Sequence, residues 1–332
     1  MTPTPTALPT TTVAGIDKPL STLVLGTMTF GDTVDAAGSK AMLDAALEAG
    51  ITTIDTANGY AGGATEVILA DILKGHHDDI VLATKAGMPN ADSGDHAPLS
   101  AKGMRLALEG SLKRLQVEKV DLFYLHKPDR DTGIDENLAT IAEFVAEGKI
   151  SALGISNYSS WQISELNAAA DRTGAPRPVV AQQLYNLVAR RLEEEYSEFA
   201  LTTGLHTMVY NPLGGGLLTG KHKFDEAPTG GRFEGSVLAE MYKQRYWNDQ
   251  LFAAIGQLAT VADDAGIPLA ELSFRWLLSK PVTSSILLGG SKTEQLKSNI
   301  AAVARGPLEP AIVDACDEIG AALRGPMPAY NR

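Results

Sequence analysis

One cysteine among 332 residues has no partner in the chain, which excludes an internal disulfide and a cysteine-based zinc site. That residue, Cys316, reads as a small buried hydrophobe on the last helix rather than as a nucleophile. Positive charge is also short: 28 Lys and Arg face 40 Asp and Glu, a formal net charge of −12. So acidic a chain is ill suited to nucleic acid or anionic membrane as its main partner, although helix N-termini and a few placed cations can still hold a phosphate. Missing too is any apolar run long enough to span a bilayer. The opening MTPTPTALPTTTVAG has neither the basic region nor the apolar core of a secretory signal. The expectation is a cytoplasmic protein, with residues 1–15 an extended or disordered Thr/Pro arm and 16–332 one domain. His96, His206 and His222 show no ligand spacing, and His76 with His77 reads as a hydrated connection, so no metal site is expected.

What the chain does have is alternation. Short apolar, β-branched runs recur: TLVLG near 23, TTID near 53, IVLATK near 80, VDLFYLH near 120, SALGIS near 151, PVVAQ near 179, HTMVY near 206 and TSSILLG near 284. Amphipathic helical stretches separate most of them; after Ser100, a candidate cap, Leu106, Leu108, Leu112 and Leu115 fall mostly on one face. Strands separated by helices pair in parallel through right-handed crossovers. Eight such units predict an α/β fold, a closed (β/α)8 TIM barrel. The stretch from Leu217 to Asp249, with APTGGRFEG inside it, is too long for a simple connection and reads as a loop over the barrel mouth.

Polar residues close these strands: Asp55, Lys85, His126, Ser156 with Asn157, Gln182, and Tyr210 with Asn211. The C-terminal ends of barrel strands share one mouth, so residues far apart in sequence converge there. Tyr60 follows Asp55 by five positions. A phenol of pKa about 10 is a poor proton donor near neutrality, and a neighbouring ammonium lowers that barrier by favouring the phenolate. Lys85 can be that ammonium, Asp55 its counter-ion, and neutral His126 a hydrogen-bond donor to a carbonyl. Acid-catalysed carbonyl reduction follows, with the hydride drawn from a cofactor. An internal Asp55–Lys85 ion pair with Tyr60 and His126 merely packing is the plain alternative.

The motifs LGTMTFG, DTANGY, ATKAG, DLFYLHKPD, GISNYS, QLYNL, YNPLGGGLLTGK, RYWN and SSILLGGSKTEQLKSN stand in the order seen in the aldo-keto reductase superfamily. Over nearly its whole length the chain resembles that family, most of all the branch with potassium-channel β-subunits and bacterial general reductases. The resemblance implies a catalytic tetrad of Asp55, Tyr60, Lys85 and His126, and NADPH or NADP+ as cofactor, with NADH or NAD+ also possible. It implies that Ser156, Asn157 and Gln182 hold the carboxamide and that Tyr210 stacks on the nicotinamide. Gly26, Thr27 and Met28 would line the cofactor site, and Asn211, Pro212, Leu213, Gly214, Gly216 and Lys221 would approach the pyrophosphate. Arg232 would lie on a closing loop, and Gly289, Ser291, Lys292, Gln295 and Asn299 at the adenosine end. Phe30, Met88 and Trp247 would wall the pocket of a small carbonyl or alcohol substrate. Gln295 and Gly289 depart from the arginine and lysine of many relatives, and Ala70 from a glycine.

Other readings have less behind them. Gly215 to His222 nearly spells a P-loop, but His222 stands where a Ser or Thr must reach magnesium. No GxGxxG follows the first strand, so the barrel itself must hold a dinucleotide. SKTE from Ser291 also reads as a capping box. Trp161, Trp247 and Trp276 read mostly as core. A nucleotide-binding regulatory subunit with little turnover, and a Schiff-base aldolase using Lys85, remain alternatives on the same fold. No stripe specifies an oligomer, though one is possible.

Overall fold

Eight short parallel strands close on themselves in the computed structural model, which describes residues 8–228, 231–234 and 239–325. Ahead of them β1 (Thr10–Thr11) pairs antiparallel with β2 (Leu20–Ser21). The barrel is β3 (Leu23–Gly26), β4 (Thr53–Asp55), β5 (Val81–Ala86), β6 (Val120–Leu125), β7 (Ile150–Ser156), β8 (Val180–Leu184), β9 (His206–Tyr210) and β10 (Ser285–Leu288). Each strand neighbours the next in sequence, and β10 pairs with both β9 and β3. The expected (β/α)8 barrel is therefore present, with all eight of its strands where the apolar runs stand. β5 and β6 are buried at every position, as parallel strands covered on both faces must be.

Helices Ala36–Glu48, Ala64–Ile72, Ala101–Leu115, Ile134–Ala146, Ser160–Thr173 and Tyr196–Thr203 link successive strands up to β9. In Ala101–Leu115 the Ser100 hydroxyl accepts the Gly103 N–H at 3.2 Å, satisfying one orphan donor of the first turn. Its buried face is Met104, Ala107, Leu108, Leu112 and Leu115, while Leu106 turns aside to a half-buried position.

Close contacts group the chain into two compact units. The first, Met1–Gln183, Glu194–Tyr210 and Ser284–Lys297, contains the barrel. One end of its interior is filled by Val13, Ile16 and Leu20 from the β1–β2 hairpin, packed with Val24, Val81, Leu122, Ala152, Val180 and Met208. Lys18 of the same hairpin reaches the Asp121 carboxylate at 3.0 Å. Residues 1–7 of the expected arm lie outside the described residues, and from Thr10 the chain is in a ladder.

The second unit is Leu184–Glu193, Asn211–Thr283 and Ser298–Arg332. Helices Ala239–Tyr246, Asp249–Asp264, Leu269–Leu278 and Pro310–Ala322 belong to it. The stretch expected as a loop from Leu217 to Asp249 thus carries a two-turn helix; residues 229–230 and 235 of APTGGRFEG, and 236–238 after it, lie outside the described ones. Trp276 is fully enclosed as expected, its ring 4.9 Å from the Arg190 guanidinium and 4.8 Å from the Lys280 ammonium. Trp161, in contrast, is 60% exposed at the start of its helix, beside buried Ser160 and Ile163. Cys316 is buried on helix Pro310–Ala322, and burial pushes its thiol up to about 11. Among the described residues no helix is long and apolar enough to cross a membrane, and no three His, Cys, Asp or Glu side chains gather as a metal requires.

Candidate active site

Asp55 is the last residue of β4 and Lys85 the fifth of β5, and neither has any contact with solvent. The Lys85 ammonium donates to Asp55 Oδ1 and, at 2.8 Å, to the Thr56 carbonyl. The second oxygen of Asp55 accepts from Gln182 Nε2 at 2.9 Å, across the barrel from β8. Both carboxylate oxygens are thereby engaged, which a buried charge needs. Burial lowers the Lys85 pKa, but the Asp55 carboxylate, and after it Tyr60, outweigh that and hold the ammonium above the usual lysine range. Burial also raises the Asp55 carboxyl, against the pull of the ammonium and amide that donate to it.

Tyr60 opens the turn after β4, and its ring centroid lies 5.2 Å from Lys85 Nζ, to which its side chain is hydrogen-bonded. His126 follows β6 directly and meets the Tyr60 ring edge-on, centroids 6.1 Å apart at 78°. Its Nδ1 is enclosed without a protein partner while the ring is half-buried, so Nε2 is the nitrogen on the open side. Burial, then the Lys85 and Lys127 charges, drive the His126 pKa down to about 3, so the imidazole is neutral near pH 7 and keeps one N–H to donate. The four residues of the expected tetrad are thus together.

The next three strand ends bring a second group. Ser156 and Gln182 stand opposite each other in the β7–β8 register. Asn157 takes a left-handed backbone, φ 64°, which an asparagine tolerates. Its amide donates to the His126 carbonyl and to Ser156 Oγ, both at 3.0 Å, and its Oδ1 accepts the Tyr210 hydroxyl at 2.7 Å. A hydroxyl, two primary amides and a half-buried phenol ring therefore share one edge of the mouth. That set fits a nicotinamide: donors and acceptors for a carboxamide, and a flat face for its ring.

Other expected positions are more varied. Gly26 packs against β10, and Thr27 is enclosed with its hydroxyl on the Asp55 carbonyl at 3.0 Å. Met28 is half-buried, while Gly289, Ser291, Lys292 and Gln295 are exposed. Gln295 Oε1 accepts from the Ser291 hydroxyl and N–H at 3.2 and 3.4 Å. Of the expected wall residues in this unit, Met88 is 38% exposed and Phe30 is wholly enclosed, leaving a ligand no surface on it.

In the second unit, Asn211 is left-handed, φ 59°, and its side chain ties Gly215 N–H and the Tyr246 hydroxyl at 2.6 and 2.8 Å. Pro212 is held through its carbonyl by Ser273 at 2.7 Å. Leu213 and Gly216 are half-buried, Gly214 is buried, and Lys221 is exposed. The Arg232 guanidinium stands 5.9 Å from the Tyr242 ring, and Asn299 is half-buried on its helix. Trp247 sits in an aromatic cluster with Phe233 and Phe252, centroids 5.2 and 4.9 Å away.

One neighbour of the site was not anticipated. Tyr124 lies 5.5 Å from Lys85 Nζ, opposite Lys85 in the β5–β6 register. Alternation along the strand sets Tyr124 on the face of His126, two residues on, but its place beside Lys85 follows only from the register.

The model of the Aldo/keto reductase family matches residues 22–321, running through both units. The chain is 39% identical to human "Aflatoxin B1 aldehyde reductase member 2" over 93% of this chain and 89% of that protein. It is 38% identical to human "Aldo-keto reductase family 7 member A3", over 93% and 96%. Rice "Probable voltage-gated potassium channel subunit beta" is 32% identical over 88% and 90%.

Proposed function

The chain belongs to the aldo/keto reductase family, and on that premise we propose that it reduces an aldehyde or ketone reversibly to the alcohol with NADPH or NADH. The observation that carries this reading is a fully buried ammonium set between a carboxylate and a phenol. When bound, a reduced nicotinamide supplies the hydride that reaches the carbonyl carbon. His126, neutral, donates its outer N–H to the carbonyl oxygen and orients it. As negative charge gathers on that oxygen, Tyr60 gives up its hydroxyl proton to complete the alcohol. Lys85 stabilises the phenolate left on Tyr60, and Asp55 keeps Lys85 charged and in place. In the oxidising direction the same phenolate takes the proton back.

Ser156, Asn157 and Gln182 would hold the carboxamide and Tyr210 the ring face, with Gly26, Thr27 and Met28 beside them. Gly289, Ser291, Lys292 and Gln295 would take the adenosine end, Lys292 supplying charge for a 2′-phosphate. For Asn211, Pro212, Leu213, Gly214, Gly216, Lys221, Arg232 and Asn299 the assignment rests on their sequence motifs. Likeness to the human aflatoxin B1 aldehyde reductase favours an aldehyde over a ketone.

The test is loss of reduced-nicotinamide absorbance with a panel of aldehydes, for wild type beside Tyr60→Phe. A fall in kcat of about 10²- to 10⁴-fold is expected on removing the proton donor; equal turnover would remove Tyr60 from this role. Likeness to the channel subunit favours a second reading, a nucleotide-binding sensor with little turnover. Slow cofactor release without multiple turnover would support that reading instead.

A further inference from the structure

Behind the barrel wall, on the side of β5 away from the mouth, lies a buried ionic bracket outside the tetrad. Glu66, in the first turn of helix Ala64–Ile72, has no solvent contact. One of its oxygens accepts the Thr84 hydroxyl at 2.6 Å, the other the Arg114 Nε at 2.8 Å. Arg114 Nη1 also donates to Asp92 at 2.9 Å, with Nη2 2.7 Å from its other oxygen as an ion pair. Gly110 leaves room for that carboxylate, since a Cβ there would come within 2.5 Å of it.

The bracket joins the two elements whose spacing the chemistry depends on. Thr84 is the residue before Lys85, so its side chain leaves the opposite face of the same strand. Glu66 follows the turn Tyr60–Gly63, whose residues Ala61, Gly62 and Gly63 are all left-handed, φ 46°, 62° and 96°. Within that turn the backbone bonds are local, Tyr60 to Ala57 and Gly62 to Gly59. Glycine adopts that region freely, so the strain sits at Ala61, φ 46°, and such strain persists only when the surroundings hold it. Arg114 lies directly under the turn: a Cβ on Gly63 would stand 3.0 Å from its Cδ. A buried ion pair adds little stability beyond an apolar replacement; what it adds here is a fixed distance.

We propose that Glu66, clamped by Thr84 and Arg114, is a positioning residue that sets the Tyr60 hydroxyl against Lys85. The proposal rests on Tyr60 being the proton donor. Glu66 touches no reacting atom. It acts by holding the Tyr60 turn and the Lys85 strand in one register.

The experiment compares wild type, Glu66→Gln, Glu66→Ala and Thr84→Val, the last deleting only a hydroxyl so that a folded variant is available. Steady-state kinetics are paired with a readout that needs no turnover: the pH titration of the Tyr60 ring by NMR of carbon-labelled tyrosine, assigned with Tyr60→Phe. For Glu66→Ala, kcat should fall about 10- to 100-fold, as for a misplaced catalytic group, with KM for NADPH within about twofold. The Tyr60 titration should move to higher pH, and Glu66→Gln, which keeps the Thr84 bond, should lie between. Unchanged kcat and an unmoved Tyr60 signal in folded but less stable variants would make the bracket a structural prop and overturn the proposal. If wild type reduces no carbonyl, the reductase reading fails, and the Tyr60 titration alone still decides whether Glu66 positions it.

Discussion

A lysine cut off from water is tolerable only because its counter-ion is equally enclosed. Lys85 and Asp55 are both fully buried, and each would be an uncompensated charge without the other. Lys85→Met should therefore abolish turnover and also destabilise the fold by about 3–5 kcal/mol, read from urea unfolding. Adding Asp55→Asn to that variant should restore most of the stability and none of the activity, because no unpaired charge remains. The four residues of this constellation were legible in the sequence, since each stands at or shortly after the end of a strand and apolar runs mark strands well. Tyr124 was not, because an aromatic inside an apolar run reads as packing until a register sets it opposite a particular neighbour. Phe30 shows the reverse: an aromatic near a strand end reads as pocket wall, yet helix Ala64–Ile72 docks over its loop through Thr65 and it is enclosed.

Among elements, β9 and β10 are pinned by His206 Nε2 and Ser285 Oγ, 2.8 Å apart and buried. Burial drives the His206 pKa down to about 4. The unfolded imidazole titrates near 6.5, so below about that pH the unfolded chain binds a proton the folded chain refuses. Stability then rises with pH across this window and is lost on acidification towards 4. The melting temperature should fall as pH drops through that range, and His206→Gln should show a shallower fall than wild type. His126, with a pKa near 3, adds to the slope with the same sign. The eight barrel strands were readable as elements because each is a continuous apolar run. The two-residue strands β1 and β2 were not, since so short a segment carries no period.

For the molecule as a whole, the two ends of the barrel differ in kind. One end gathers the polar strand-end residues; the other is filled by Val13, Ile16 and Leu20 of the hairpin. Changes at the second end should touch stability alone. Leu20→Ala should lower unfolding free energy by about 2–5 kcal/mol while kcat/KM stays within about twofold of wild type at a temperature where both are folded. Tyr60→Phe should do the opposite, and the contrast separates a stability face from a chemical one. Acidity at this scale, −12 overall, agrees with a small-molecule partner rather than a polyanion.

The order of apolar runs and helical stretches determined the barrel without help from tertiary structure, because strand and helix periods are local properties and eight alternations admit few closed topologies. The polar residue at each strand tip, on which the proposed chemistry rests, is likewise read from the sequence alone. Only the folded chain decided which groups stand behind that chemistry: Gln182 on Asp55, Tyr124 beside Lys85, and Glu66 with Arg114 under the Tyr60 turn. Those contacts join residues 39 to 127 positions apart. No local pattern encodes such a distance; it follows from strand register and from how the helices dock on the wall.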